Sequence, residues 1–145
     1  MAKIWDKEGF ELNKIVEKFT VGNDFQIDMK LVNYDCIASI VHAKMLNKIG
    51  ILSQIELKKI ILVLEEIIQT DNFKINLEDE DCHTAIENYL IKKIGDIGKK
   101  IHTGRSRNDQ ILTALRLYYI DNIKTVNSLQ KEWIACLEKL KKKYG

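Results

Sequence analysis

Proline is absent from this 145-residue sequence, and glycine occurs only seven times. Because proline removes a helical N–H donor and clashes with the preceding turn, its absence favours long uninterrupted helices. Cysteine is scarce as well. Cys36, Cys82 and Cys136 are odd in number and far apart, with no CxxC and no Cys/His pairing at metal-site spacing. They read as buried thiols in a reducing compartment. No stretch is apolar enough to span a membrane, since KIILVLEEII is interrupted by Glu65 and Glu66. The opening MAKIWDKEG has no apolar run of the signal-peptide kind, so the expected location is the cytoplasm. An excess of one charge is also missing. The 23 Lys plus Arg against 21 Asp plus Glu leave +2, which gives no overall field for nucleic acid or a membrane surface.

What is present is 46% hydrophobic and 30% charged residues, the balance of a soluble globular protein. The length allows one domain with a core, or a small domain and a projecting element, but not two full domains. Apolar periodicity predicts a mainly α fold. A short helix is expected near 11–18, followed by a turn at TVGND. From Asp28 as N-cap, Leu31, Tyr34, Ile37, Ala38, Val41, Met45 and Leu46 recur at helical spacing until Gly50. Ser53 and Glu56 form a capping-box pattern ahead of a second helix over 54–69, whose apolar residues fill more than one face and predict the most buried helix. A third helix is expected over 83–94, with the acids Glu78 to Asp81 at the positive end of its dipole. The fourth, over 108–143, carries Leu112, Leu115, Tyr119, Ile123, Val126, Leu129, Trp133, Leu137 and Leu140 at near-heptad spacing. A domain of this size cannot cover so long a stripe, so the helix is expected to join a bundle with other chain segments or other subunits.

Chemistry-bearing residues crowd the entrance to that last helix, in GKKIHTGRSRNDQ. Arg105 and Arg107, the Asn108 amide, the Thr103 and Ser106 hydroxyls and the free N–H groups of a helix N-terminus together suit a carboxylate or phosphate. Taken as residue types alone, the same stretch also reads as a cap, with Ser106 or Asn108 closing the helix and the arginines in solvent. His83 lies four residues before Glu87 on one helix face and just after an acid cluster, which fits either an oriented imidazole or an ordinary polar residue. His42, in an apolar helix, reads as structural. His83, His102 and Cys82 lack metal-site spacing. Neither a glycine-rich phosphate loop nor a GxSxG elbow occurs.

The order of these residues carries a resemblance. DEDCHTAIENYL followed by IGDIGKKIHTGRSRNDQILTALRLYY closely resembles the N-terminal portion of the argininosuccinate lyase family, within the fumarase and aspartase superfamily. The segment FTVGNDFQIDMKLVNYDCIASIVHAKMLNKIGIL follows the family pattern too. The resemblance implies a helical N-terminal domain over 1–104, then the first long helix of a fumarase/aspartase-type bundle over 105–145. It also implies a β-elimination that splits argininosuccinate into arginine and fumarate without cofactor or metal. By resemblance, Thr103, Arg107 and Asn108 form part of the substrate pocket, Asp81 and His83 lie in the same cleft, and Arg105 and Ser106 brace the loop.

Two positions depart from the family. Asp24 stands where the family has a substrate-contacting serine, and a carboxylate there would repel substrate carboxylates unless it faced the guanidinium end. WDKEGF replaces the family's Trp-Gly-Gly-Arg-Phe. The segments that supply the family's general acid and base, Thr-His-x-Gln and Gly-Ser-Ser-x-Met-Pro, have no counterpart in the sequence, and the resemblance puts them beyond Gly145. The chain is therefore expected to supply binding residues but no catalytic acid or base, and to be inactive alone. The family's complete enzyme is a homotetramer, so a homo-oligomer through the long helix is expected. An alternative is a non-enzymatic helical protein that oligomerises or binds an arginine-related ligand. A nucleic-acid role for GRSR is opposed by the near-neutral charge and the lack of interleaved aromatics.

Overall fold

The computed structural model describes Phe19 and residues 22–145, and among them every regular element is a helix. The helix expected near 11–18 and the WDKEGF segment lie outside the described residues. A helical turn at Asp24–Ile27 and a 3-10 turn at Asp28–Lys30 lead into α1, Val32–Lys48. Then come α2, Gln54–Gln69, and α3, Cys82–Ile94. A short α4, Asp96–Lys99, and a 3-10 turn, Lys100–His102, precede α5, Arg107–Tyr144. None of the described helices is long and apolar enough to cross a membrane.

Local chemistry explains most of the helix ends. Ser53 Oγ accepts from the Glu56 N–H at 3.2 Å while the Glu56 carboxylate accepts from the Ser53 N–H at 2.8 Å, so the capping box is complete. Asp81 caps α3 by accepting from the Thr84 N–H at 2.8 Å, and Ser106 caps α5 by accepting from the Asn108 N–H at 3.2 Å. At the other end of α5 the Gly145 N–H donates to the Lys141 carbonyl at 2.8 Å and closes the last turn. Gly50, at φ +81°, ends the α1 segment in the left-handed region. Asp28 is a correction. It does not cap α1, whose N-cap Leu31 has no side-chain bond; its carboxylate instead accepts from the Cys82 N–H at 3.2 Å, serving the first turn of α3. A free N–H at a helix start is satisfied by whichever acceptor the fold brings to it, local or remote.

The core lies between α1, α2 and α3, with Leu46, Leu52, Ile60, Leu64, Ile67 and Leu90 fully buried. The connection after α2 adds Phe73 and Ile75, and the Phe73 ring meets Tyr89 edge-on at 5.6 Å. Gly98 lets α4 lie against the end of α3, because a Cβ there would sit 2.8 Å from the Ile91 nitrogen and the Leu90 carbonyl carbon. The most buried helix is α3, which buries six of its 13 residues, rather than α2, which buries four of 16. Although α2 is apolar on several sides, Ile55 and Leu62 face solvent, because only one side of it meets neighbours. The face of α1 is also corrected. Val32, Asp35, Cys36, Ser39, Ala43 and Leu46 point inward, while Ile37, Val41 and Met45 from the predicted stripe are exposed.

Among the described residues, only the first turns of α5 pack on other segments. Gln110 and Ala114 are its buried residues, and Tyr118 meets Tyr34 of α1 edge-on at 5.7 Å. From Tyr119 through Gly145 every residue is exposed. Cys136 is thus exposed, against the expectation of a buried thiol, because no other described segment reaches its stretch of helix.

Candidate functional site

The loop between the Lys100–His102 turn and α5 places its two arginines on two different carboxylates. Gly104 turns the loop at φ +64°, a value that costs glycine no Cβ clash. Arg105, with a side chain only 8% exposed, runs inward to α1, where Nη2 donates to Asp35 Oδ1 at 3.2 Å and Nη1 to Ser39 Oγ at 2.9 Å. Arg107, in the first turn of α5, donates through Nη1 to Asp81 Oδ2 and, at 3.1 Å, to Thr84 Oγ1. The loop is therefore pinned between α1 and the N-terminus of α3.

Asp35 is the hub of a buried network. Gln110 Nε2 donates to both of its oxygens, at 3.0 and 2.9 Å, and His83 Nδ1 donates to Oδ2 at 2.9 Å. Ser39 Oγ adds a longer contact of 3.4 Å to Oδ1. A carboxylate at 0% exposure needs such partners, because an unpaired buried charge is very costly. Burial lowers the Arg105 pKa and Asp35 opposes that shift, but a guanidinium remains charged at any physiological pH. The Cys82 thiol touches His83 Nδ1 at 3.7 Å; burial, and then the negative charges of Asp35, Asp28 and Asp81, push its pKa up. Burial and Asp35 do the same to Cys36, so both thiols stay protonated and unreactive.

Ligand atoms of Asp35, Cys82 and His83 lie within 4.8 Å of one another. This set differs from His83, His102 and Cys82, which sequence spacing already disfavoured. Its donor chemistry fits a hydrogen-bonded network better than a cation: the Arg105 guanidinium already neutralises Asp35, and His83 Nδ1 spends its proton on the same carboxylate.

The remaining expected site residues lie around this frame. Thr103 and Asn108 are exposed. The Thr103 carbonyl accepts from His42 Nε2 at 3.1 Å, which ties α1 to the loop. Burial, and then the positive charge of Arg105, hold His42 below the ordinary imidazole pKa. His102 approaches Glu87 at 4.0 Å, so the partner of Glu87 is His102 and the partner of His83 is Asp35. The side chain of Asp24 lies outside what the structure describes. Gly145 stands at the opposite end of α5 from Arg107 and is no part of this frame. A groove of about 350 Å³ between α1 and α5 is lined by Val41, His42, Met45, Gly104, Asp109 and Thr113 among others, and neither Arg107 nor Asn108 lines it.

Asp35, Ser39, Thr84 and Gln110 were not singled out from sequence. The available signal was a pair of polar residues, Asp35 and Ser39, four apart on a helix otherwise rich in apolar side chains. Chemically, the assembly offers a guanidinium oriented by Asp81 at a helix N-terminus, with the exposed Asn108 beside it. That is an arrangement for an anionic group.

Comparison with known proteins adds a family. A model described as a lyase matches residues 9–144. The chain is 51% identical over 146 residues to an argininosuccinate lyase of Thermotoga neapolitana, covering 99% of this chain and 36% of that protein. It is 37% identical to one from Bacteroides fragilis, covering 98% of this chain and 32% of the relative. It is 42% identical to one from Caldanaerobacter subterraneus, covering 90% and 29% respectively. The chain thus spans about a third of the length of the curated relatives it matches.

Proposed function

This chain belongs to the lyase family, and from that membership we propose that it is the N-terminal portion of an argininosuccinate lyase, whose reaction splits argininosuccinate into arginine and fumarate. The observation that carries the reading is the orientation of Arg107 at the N-terminus of α5 by Asp81 and Thr84, with Asn108 exposed next to it.

A β-elimination of this kind removes a proton beside a carboxylate, and negative charge grows on that carboxylate in the transition state. In this reading Arg107, Asn108 and Thr103 hold the carboxylate and stabilise the growing charge. Asp81 fixes the guanidinium, His83 stands in the same cleft, and Arg105 and Ser106 support the loop. Asp24 is a candidate contact to the guanidinium end of the substrate. The acid and base come from segments other than residues Met1 to Gly145, so the chain alone binds but does not turn over.

The same reading divides the chain into a helical domain over 1–104 and the start of a central bundle over 105–145. It makes the long helix a homo-oligomer contact, requires no cofactor, and places the enzyme in cytoplasmic arginine biosynthesis. Calorimetric titration with argininosuccinate and with fumarate tests it. Arg107→Ala is expected to weaken binding about tenfold or more, the scale of a lost charge-assisted hydrogen bond, and Asn108→Ala to weaken it less. Equal affinity in all three proteins would remove the substrate reading and leave an assembly protein. Fumarate release by the pure chain, abolished in Arg107→Ala, would contradict the assignment of acid and base to other segments.

A further inference from the structure

The group that controls the orientation of His83 is Asp35, on a helix 48 residues earlier in the chain. Asp35 is fully buried and so does not meet a substrate itself. A carboxylate oxygen can only accept, so the 2.9 Å contact from His83 puts the imidazole proton on Nδ1. In a neutral ring the lone pair then lies on Nε2. Among the described residues Nε2 has no hydrogen-bond partner, although the His83 side chain is almost fully enclosed. Asp35 is itself held by Arg105 from the loop and Gln110 from α5, so it cannot rotate to release the imidazole without breaking both. Arg107 meanwhile sits two residues from Arg105 and is bound to Asp81, the N-cap of the helix that carries His83.

We propose that Asp35 is a positioning residue of the substrate site: it fixes His83 as the Nδ1–H tautomer, so that Nε2 accepts an N–H of the substrate's guanidinium end while Arg107 takes a carboxylate. The inference rests on the substrate reading above for its ligand, but not for the tautomer. An acceptor nitrogen suits a guanidinium N–H and repels a carboxylate oxygen, so the two groups would read opposite ends of one molecule. Gln110 and Ser39 act through Asp35 and not on the ligand.

Nitrogen-15 NMR of the whole chain, labelled at histidine and recorded at pH 8.5, tests the tautomer directly. The three histidines are assigned with His42→Gln and His102→Gln. The expected spectrum has the His83 Nδ1 resonance in the protonated range and Nε2 in the unprotonated range. Ser39→Ala, which keeps the Asp35 to His83 bond, leaves this pattern in place, whereas Asp35→Asn moves proton population to Nε2. A merely structural role for Asp35 predicts no such transfer in a folded Asp35→Asn protein. Should that variant not fold, the wild-type spectrum still decides, because a protonated Nε2 there overturns the proposal. Addition of arginine is expected to shift Nε2, and fumarate is expected to leave it unmoved; the reverse pattern overturns the assigned ligand end. Absence of any response to either ligand across the protein overturns the substrate reading instead, with the tautomer still standing as measured.

Discussion

Asp35 shows how much of this protein turns on one side chain. It is a full negative charge at 0% exposure, and what makes that tolerable is the Arg105 guanidinium at 3.2 Å together with Gln110 and His83. Removing the carboxylate alone leaves the nearly buried Arg105 uncompensated, so Asp35→Ala is expected to lower unfolding stability by ~3–5 kcal/mol in urea titrations. The double change Asp35→Leu with Arg105→Met should recover most of that loss, because apolar replacements remove both desolvated charges. A double variant no more stable than the single one would mean that the network is held by something other than this charge pair. Sequence made the residue types around the loop visible, including Arg105, Arg107, Asp81 and His83. Their pairing was not legible, because Asp35 lies 70 residues from Arg105 and nothing local links them.

At the scale of the element, the parts with short-range causes were the legible ones. The Ser53 to Glu56 capping box predicts the start of α2, and both of its bonds are present. Asp28 had the right residue type for a cap, but its acceptor went to Cys82 of another helix. Glu56 has a second role that spacing does not disclose, since it accepts from Lys100 Nζ at 2.6 Å and so ties the α2 start to the turn before the loop. The Lys100 ammonium, followed by the Ser53 N–H, lowers the Glu56 pKa from its ordinary 4.5 to about 2. A depressed carboxyl pKa stabilises the fold fully above the unfolded-state value, and that contribution is lost as pH falls from 4.5 toward about 2. Glu56→Gln is therefore expected to lower the melting temperature at pH 7 and to converge on the wild type near pH 2. A deficit unchanged across that window would assign the loss to the cap geometry and not to the charge.

For the whole molecule, the main fact is a 38-residue α5, about 57 Å long, most of which is exposed and packs on no other described segment. Ile123, Val126, Leu129, Trp133, Leu137 and Leu140 are all exposed along it. An apolar surface of this extent marks an interaction site, and a helix so placed is marginal without one. The chain is expected to self-associate in sedimentation velocity. Trp133→Glu combined with Leu137→Lys should shift it toward monomer and reduce its helical circular dichroism. A monomeric wild type with full helicity would remove the helix as a contact surface. The amino-acid sequence by itself determined the helical class, the limits of α2 and, to within a residue, those of α3 and α5, the cap at Ser53, and the family, because periodicity, capping and motif order are local properties of the chain. Tertiary structure alone decided which face of α1 turns inward, which carboxylate each arginine holds, and that Cys136 lies in solvent. Those outcomes depend on what each helix meets, and a helix that is apolar on several sides does not say which side its neighbours will cover.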